Sequence, residues 1–350
     1  TLPVEFRFLQ YRPREWRPSD TIVIGKILSD ALSTTWRYDL IRASMQNISK
    51  DKLADLNDPV TPYDVILFGK DTPAKKEAVA SKPVEVSNGL LALADADDRL
   101  RSSSLERVGL YAEDLAASNN WVISGKRTAD GKPILANDPH LAATAPGIWY
   151  LTHLSTPTMR VSGVTFPGVP GIILGHNDSI AWGATNVGPD VQDLYVETFN
   201  DKGEYKTPTG WQAATVRKEI INVRSNPLKP ETDPVEFDVI VTRNGPIITE
   251  DGGKKYSLKW TAFDPHNSEF EAFYEWNRAK NWTGFRNALQ KYGGAAQNFI
   301  YADTKGNIGW NAASKIPIRR TGDGALPYDG STGDGDWVGT IPFAELPVLF

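Results

Sequence analysis

The chain has 350 residues, 40% of them hydrophobic and 10% aromatic, which is ample for a large buried core. Its 38 basic and 43 acidic residues give a net charge of −5 with no basic stripe, so a nucleic-acid partner is not expected, and the absence of cysteine excludes disulfides, thiolate zinc sites and a cysteine nucleophile. No apolar run reaches the length of a bilayer span, so no membrane is expected as a partner either. Thr1-Leu2-Pro3-Val4-Glu5-Phe6 has neither a charged n-region nor an apolar h-region, and both ends read as mid-protein sequence, which suggests a fragment of a longer chain.

In chain order, residues 20–48 read as helical: Ser19 or Asp20 can cap, and Ile24, Ile27, Leu28, Leu32, Trp36 and Leu40 recur at roughly helical spacing. The stretch 70–117 is polar and rich in alanine and serine, the composition of a spacer with room for one amphipathic helix. From Ser118 onward the pattern turns to short strands. Two apolar runs flank Asp130-Gly131, a hairpin signal, and further strands are expected at 172–174, 180–182, 194–198, 216–223 and 237–242. Two helices are expected at 268–278 and 282–291, then a second hairpin around Asp303-Thr304-Lys305-Gly306-Asn307. With no alternating βαβ pattern, the fold class is α+β.

The common hydrolase and nucleotide signatures are missing: no Gly-x-Ser-x-Gly elbow, no His-Glu-x-x-His, no phosphate-cradling loop. The four histidines, His140, His153, His176 and His266, have no metal-cage spacing. A serine can nevertheless be activated without a second side chain if it stands at a chain N-terminus, because its own α-amine, with a pKa of about 7.7–8.0, can take the hydroxyl proton. Ser118 stands where the polar spacer ends and the strands begin, after Ala116 and Ala117. On local sequence alone, a serine before Asn119-Asn120-Trp121 is better read as a turn residue than as a nucleophile.

The wider context resembles the penicillin acylase (penicillin amidase) family of N-terminal nucleophile hydrolases. Ser118-Asn119-Asn120-Trp121-Val122-Ile123-Ser124-Gly125 looks like the start of that family's catalytic β chain. Three further motifs follow in order: Gly131-Lys132-Pro133-Ile134-Leu135-Ala136-Asn137-Asp138-Pro139-His140-Leu141, then Gly175-His176-Asn177 with Trp182-Gly183-Ala184-Thr185-Asn186, then Asn298-Phe299-Ile300-Tyr301-Ala302-Asp303 with Gly306-Asn307-Ile308-Gly309. The resemblance implies a four-layer αββα fold and a precursor in which 1–69 is the end of an α chain, 70–117 a spacer peptide and 118–350 the start of a β chain. It implies hydrolysis of a small amide with an apolar acyl group, of the β-lactam side-chain or acyl-homoserine lactone type. For the full-length protein it implies a periplasmic or secreted address.

It also implies roles for residues. Ser118 would be nucleophile and, through its amine, base; the Asn298 side chain and the Asn186 main chain would hold the oxyanion. His140 would orient Ser118 or assist self-cleavage, and Arg319 would line the active site. Leu141, Ala184 and Gly188 fall at acyl-pocket positions. Asp190, Gln192 and Asp193 would hold a structural calcium, with hard oxygen donors at suitable spacing, and Arg37 and Asp39 fall near its α-chain ligand. No cofactor is implied for the chemistry. Ala117 departs from the glycine common before the nucleophile. The residues by themselves leave three rival readings open: a relative that only binds acyl compounds, a triad serine hydrolase with 70–117 as a lid, and a calcium-dependent carbohydrate-binding sandwich suggested by the 11 tryptophans.

Overall fold

The computed structural model describes residues 2–33, 35–45, 48–49, 51–52, 86–107, 118–140 and 147–350. The chain opens with helices α1 (Val4–Phe8), α2 (Pro18–Ser33) and α3 (Trp36–Ser44), two main helices where the periodicity suggested one long stretch. The interruption has a tertiary cause. At Thr35 the main-chain N–H donates to Gln192 Oε1 at 2.8 Å and the hydroxyl to Asp190 Oδ1 at 3.1 Å, in place of helical bonding. Within the expected spacer lies α4 (Asn88–Arg107), started by the Ser87 hydroxyl, which accepts the Leu90 N–H at 2.9 Å. This helix is packed down: Leu90 is fully buried, Arg101 pairs with Asp30 at 2.6 Å and Asp98 with Arg37 at 2.5 Å. The rest of the expected spacer, 70–85 and 108–117, lies outside the described residues.

Strands dominate from Ser118 on. The first six are β1 (Ser118–Ile123), β2 (Ile134–Pro139), β3 (Tyr150–Thr156), β4 (Met159–Thr165), β5 (Leu174–Asn177) and β6 (Ile180–Asn186). Then come β7 (Gln192–Glu197), the small pair β8 (Glu204–Thr207) and β9 (Gly210–Ala213), and the long strands β10 (Thr215–Val223), β11 (Asp233–Thr242), β12 (Gly245–Asp251) and β13 (Lys254–Trp260). Helices α5 (Glu269–Trp276) and α6 (Trp282–Leu289) lead into β14 (Gln297–Asp303) and β15 (Ile308–Ala313), and the chain closes with β16 (Pro317–Arg319), β17 (Tyr328–Asp329), β18 (Trp337–Thr340) and β19 (Val348–Leu349). An antiparallel seven-stranded sheet runs β19-β15-β14-β6-β5-β4-β3; a six-stranded sheet runs β10-β11-β12-β13-β7-β17, with β17 parallel to β7. The fold is α+β, as expected.

Each sheet has its own core. On one face of the seven-stranded sheet, α5 and α6 bury Trp276 and Phe285 against Trp182, Phe299 and Tyr301. The indoles are satisfied, Trp182 donating to Ile173 O at 2.8 Å and Trp276 to Ile172 O at 3.0 Å. Two of the recognised motifs prove to be joints in this layer. Asn177 accepts from Ser179 and Ile180 N–H and donates to Asn277 and Ala279 O, tying the β5–β6 turn to the end of α5. Asp303 caps the β14–β15 hairpin through Lys305 N–H, Asn307 N–H and the Asn307 amide, while Gly306, at φ +92°, supplies the left-handed residue. On the six-stranded sheet, α3 and α4 bury Trp36, Leu40 and Leu90 against Leu194, Tyr256 and Trp260.

The β1–β2 hairpin covers the other face of the seven-stranded sheet, over β6 and β14. Its two strands pair from Ser118 opposite Pro139 to Ile123 opposite Ile134, and the connection includes a 3₁₀ turn at Gly125–Arg127, so Asp130-Gly131 is part of a longer loop, not a two-residue turn. The hairpin sits close because Gly183 has no side chain: a Cβ there would lie 2.8 Å from Asn137 Cβ. In that space the Asn137 amide accepts the Ala184 N–H at 2.9 Å and donates to Ala184 O at 3.0 Å and Asn119 O at 3.2 Å. Asn137→Ala removes all three partners at once, and is expected to lower the unfolding free energy by about 2–4 kcal/mol. Urea unfolding followed by tryptophan fluorescence measures this; a loss under about 0.5 kcal/mol, typical of a neutral surface change, would mean the hairpin is held elsewhere.

Candidate active site

Ser118 is the first residue of the hairpin strand β1, and the alternation of that strand turns Ser118, Asn120 and Val122 inward and Asn119, Trp121 and Ile123 outward. Asn120 donates to the main-chain oxygen of Asn298 at 3.0 Å, so β1 is fastened onto β14 two residues from the serine. Asn298 is itself oriented. Its Oδ1 accepts the Trp310 indole N–H at 3.1 Å, and because an indole can only donate, the amide nitrogen must face the other way. That nitrogen reaches Asn186 O at a loose 3.5 Å, which leaves it ready to donate elsewhere.

Asn186 is the last residue of β6 and pairs in register with Gln297 of β14. The next N–H, of Val187, bonds to Ala296 O at 3.0 Å. Ladder bonds alternate sides along an antiparallel strand, so the Asn186 N–H points away from β14. The Asn186 side chain is fixed, donating to Leu32 O at 3.0 Å and accepting from Gln297 at 3.2 Å. Asn186 and Asn298 thus sit on neighbouring strands, β6 and β14, beneath the β1–β2 hairpin.

Ser118 borders an apolar cavity of about 140 Å³ that also touches Pro139, Ala184, Thr185 and Asn186. Its walls come from α2 (Leu28, Leu32), from the stacked pair Trp149 and Phe166, and from Phe273 and Trp276 of α5. Glu269 also borders it, nearly buried and neutralised by Lys26 at 2.8 Å. Most of these wall residues were not identified from sequence; the paired aromatics of 270–276 carried the signal, as a helix apolar on more than one face. Of the expected pocket positions, Ala184 lines the cavity, Gly188 is not among its lining residues, and Leu141 lies outside the described residues.

The other two expected catalytic residues sit elsewhere. His140 is on the outward face of the hairpin, its Nε2 3.1 Å from Asp138 Oδ2 and 3.5 Å from Asn119 Nδ2. Arg319 is not part of the cavity wall; its guanidinium clamps Asp193, with Nε to Oδ2 and Nη2 to Oδ1 both at 2.7 Å. The calcium implied by the resemblance needs several oxygens free to converge on one ion. Here Asp193 is occupied by Arg319 and by the Trp337 indole at 2.5 Å, and Asp190 Oδ1 accepts from Thr35 and from Gln192 N–H. The Gln192 side-chain oxygen is taken by Thr35. Among the described residues no three acidic or histidine side chains gather in a metal-holding group. The donor set does not fit calcium. Nearby Asp39 is fully buried, with both carboxyl oxygens lacking hydrogen-bond partners. Burial, then the negative charges of Asp190 and Asp193, push its carboxyl well above the usual range. Asp190 is pushed up to about 6, by burial first and then by Asp193.

Comparison with known proteins places this geometry. The sequence profile of the penicillin amidase family matches residues 1–350. The chain is 28% identical to the acyl-homoserine lactone acylase QuiP of Pseudomonas aeruginosa over 97% of this chain and 40% of that protein. It is 30% identical to the penicillin acylase 2 proenzyme of Pseudomonas sp. over 99% of this chain and 43% of that one. Among solved structures, the thermostable penicillin G acylase from Alcaligenes faecalis superposes with a TM-score of 0.58 at 29% identity, covering 66% of this chain and 41% of that one. The chain therefore spans about two fifths of the length of the relatives it matches. Its fold is the αββα fold of N-terminal nucleophile hydrolases, of which the layers seen here run from the α5–α6 helix pair through the seven-stranded sheet to the β1–β2 hairpin. The chain belongs to the penicillin amidase family.

Proposed function

We propose that Ser118 is the nucleophile of a self-processing amidohydrolase that cleaves small acylated amides. What supports this is the position of Ser118: first residue of a hairpin strand that Asn120 fastens to Asn298, at the edge of an apolar cavity that Asn186 also lines. Processing begins when the Ser118 hydroxyl attacks the carbonyl of Ala117. The peptide C–N bond breaks as the ester to Ser118 forms, the leaving nitrogen takes a proton and becomes the free α-amine, and water then hydrolyses the ester, releasing the upstream chain at Ala117 and restoring the hydroxyl. Release of the whole segment 70–117 as a spacer would strip α4 from the six-stranded sheet; the burial of Leu90 favours a cut at Ser118 that leaves α4 with the upstream chain.

In the mature enzyme the free amine accepts the Ser118 hydroxyl proton, with a bridging water, as the oxygen attacks the substrate carbonyl. The resulting oxyanion is held by Asn298 Nδ2 and Asn186 N–H, donors that carry no charge needing desolvation. The proton passes to the leaving amine, the C–N bond breaks, and water hydrolyses the acyl ester. A dry apolar cavity of about 150 Å³ accommodates a benzene ring, so the space beside Ser118 suits an aryl or short alkyl acyl group. Such groups occur on β-lactam side-chain amides and on acyl-homoserine lactones, the compounds named for the relatives above. His140, on the outward face, acts on processing or orientation through Asn119 and not by contact with the acyl group.

Intact-mass measurement tests the scheme. Wild type should yield a chain beginning at Ser118, and Ser118→Ala should remain whole and inert; full activity in Ser118→Ala would exclude the mechanism. Asn298→Ala should lower kcat by about 10²–10³ with little change in KM, the usual effect of one lost oxyanion donor. Because the base is an α-amine, kcat/KM should fall tenfold per pH unit below about pH 7.5. A flat profile between pH 5.5 and 7.5, measured with a chromogenic anilide, would rule out the amine as base.

A further inference from the structure

We infer that Arg319 is a built-in cation that holds the Asp190–Asp193 loop in place of a bound calcium. The guanidinium makes a two-bonded fork to Asp193, 2.7 Å on each arm, and its Nη2 also lies 3.2 Å from Asp190 O and 3.4 Å from Asp190 Oδ1. It therefore meets both carboxylates that the family pattern would give to a metal, in the geometry a planar guanidinium binds best. The pair is sealed: Asp193 is fully buried and the Arg319 side chain 7% exposed. Trp337 donates to the same Asp193 Oδ2 that accepts from Arg319 Nε. The turn after β16 closes over the pair at Gly324, where a Cβ would lie 2.6 Å from both Arg319 Cζ and Asp190 Oδ2. A divalent ion at this position would have to displace the guanidinium or sit against its charge. Asp39, buried close to both carboxylates with neither of its oxygens hydrogen-bonded, has Arg42 at 3.6 Å.

The consequence is architectural. Arg319 ties β16 to β7 and to the loop that follows Asn186, so one covalent side chain does the clamping that a metal does by coordination. The test is thermal unfolding and calorimetric titration of the purified wild-type protein after dialysis against EDTA. The expected result is the same Tm with EDTA and with millimolar calcium, and no saturable calcium heat. A Tm that falls in EDTA, or one calcium per chain bound with saturable heat, would overturn the inference. Arg319→Gln should lower Tm by several degrees and Arg319→Lys by less, because lysine keeps the charge but loses the fork. An unchanged Tm in Arg319→Gln would equally overturn it, and if that variant does not fold the wild-type titration alone decides.

Discussion

The close seating of a two-stranded hairpin on a sheet, through the Asn137 amide in the space left by Gly183, is the constraint on which the site depends. Everything proposed for Ser118 requires that β1 start at a fixed height above β6 and β14. Register sets that height. Asn137 bonds both main-chain groups of Ala184, and Asn120 reaches the main chain of Asn298, so a shift by one residue would turn the serine outward and break both joints. The helix pair on the far face backs the sheet, with Trp182, Trp276 and Phe299 packed beneath the strands that carry Asn186 and Asn298.

The two polar centres of the molecule obey different electrostatics. Around the cavity beside Ser118 the one acidic residue among the described lining residues, Glu269, is paired with Lys26, so the chemistry proposed there would meet amide dipoles and no unpaired carboxylate from that lining. Around Asp193 a buried guanidinium is forked onto a buried carboxylate, an arrangement suited to holding segments together and not to turnover. Asn186 ends one strand in the first centre, and the chain reaches the second by Asp190. The clamp therefore follows Asn186 closely in sequence.

The local features were legible because their causes are local. The Asp303–Asn307 turn announces itself by an Asx cap and a glycine, the helices at α5 and α6 by apolar spacing, and the start of β1 by the change from spacer to strand composition. The strand pairs β3–β4 and β12–β13 were passed over. The first is rich in serine and threonine at a sheet edge, while Gly252-Gly253, at φ +56° and +76°, was an available turn signal for the second. Arg319, expected to line the active site, lies off the cavity wall for a different reason. An arginine near a motif says nothing about which carboxylate it will meet, and its partner Asp193 lies 126 positions away. The family pattern supplied the candidates; only the fold decided which of them reach the serine.

Covalent trapping at Ser118 bears most directly on this account. The mature protein, treated with a serine-directed sulfonyl fluoride and digested, should carry its adduct on the peptide that begins with Ser118 and has a free α-amine at that residue. An adduct on another serine, or on Ser118 inside an uncut chain that still turns over an amide, would contradict it.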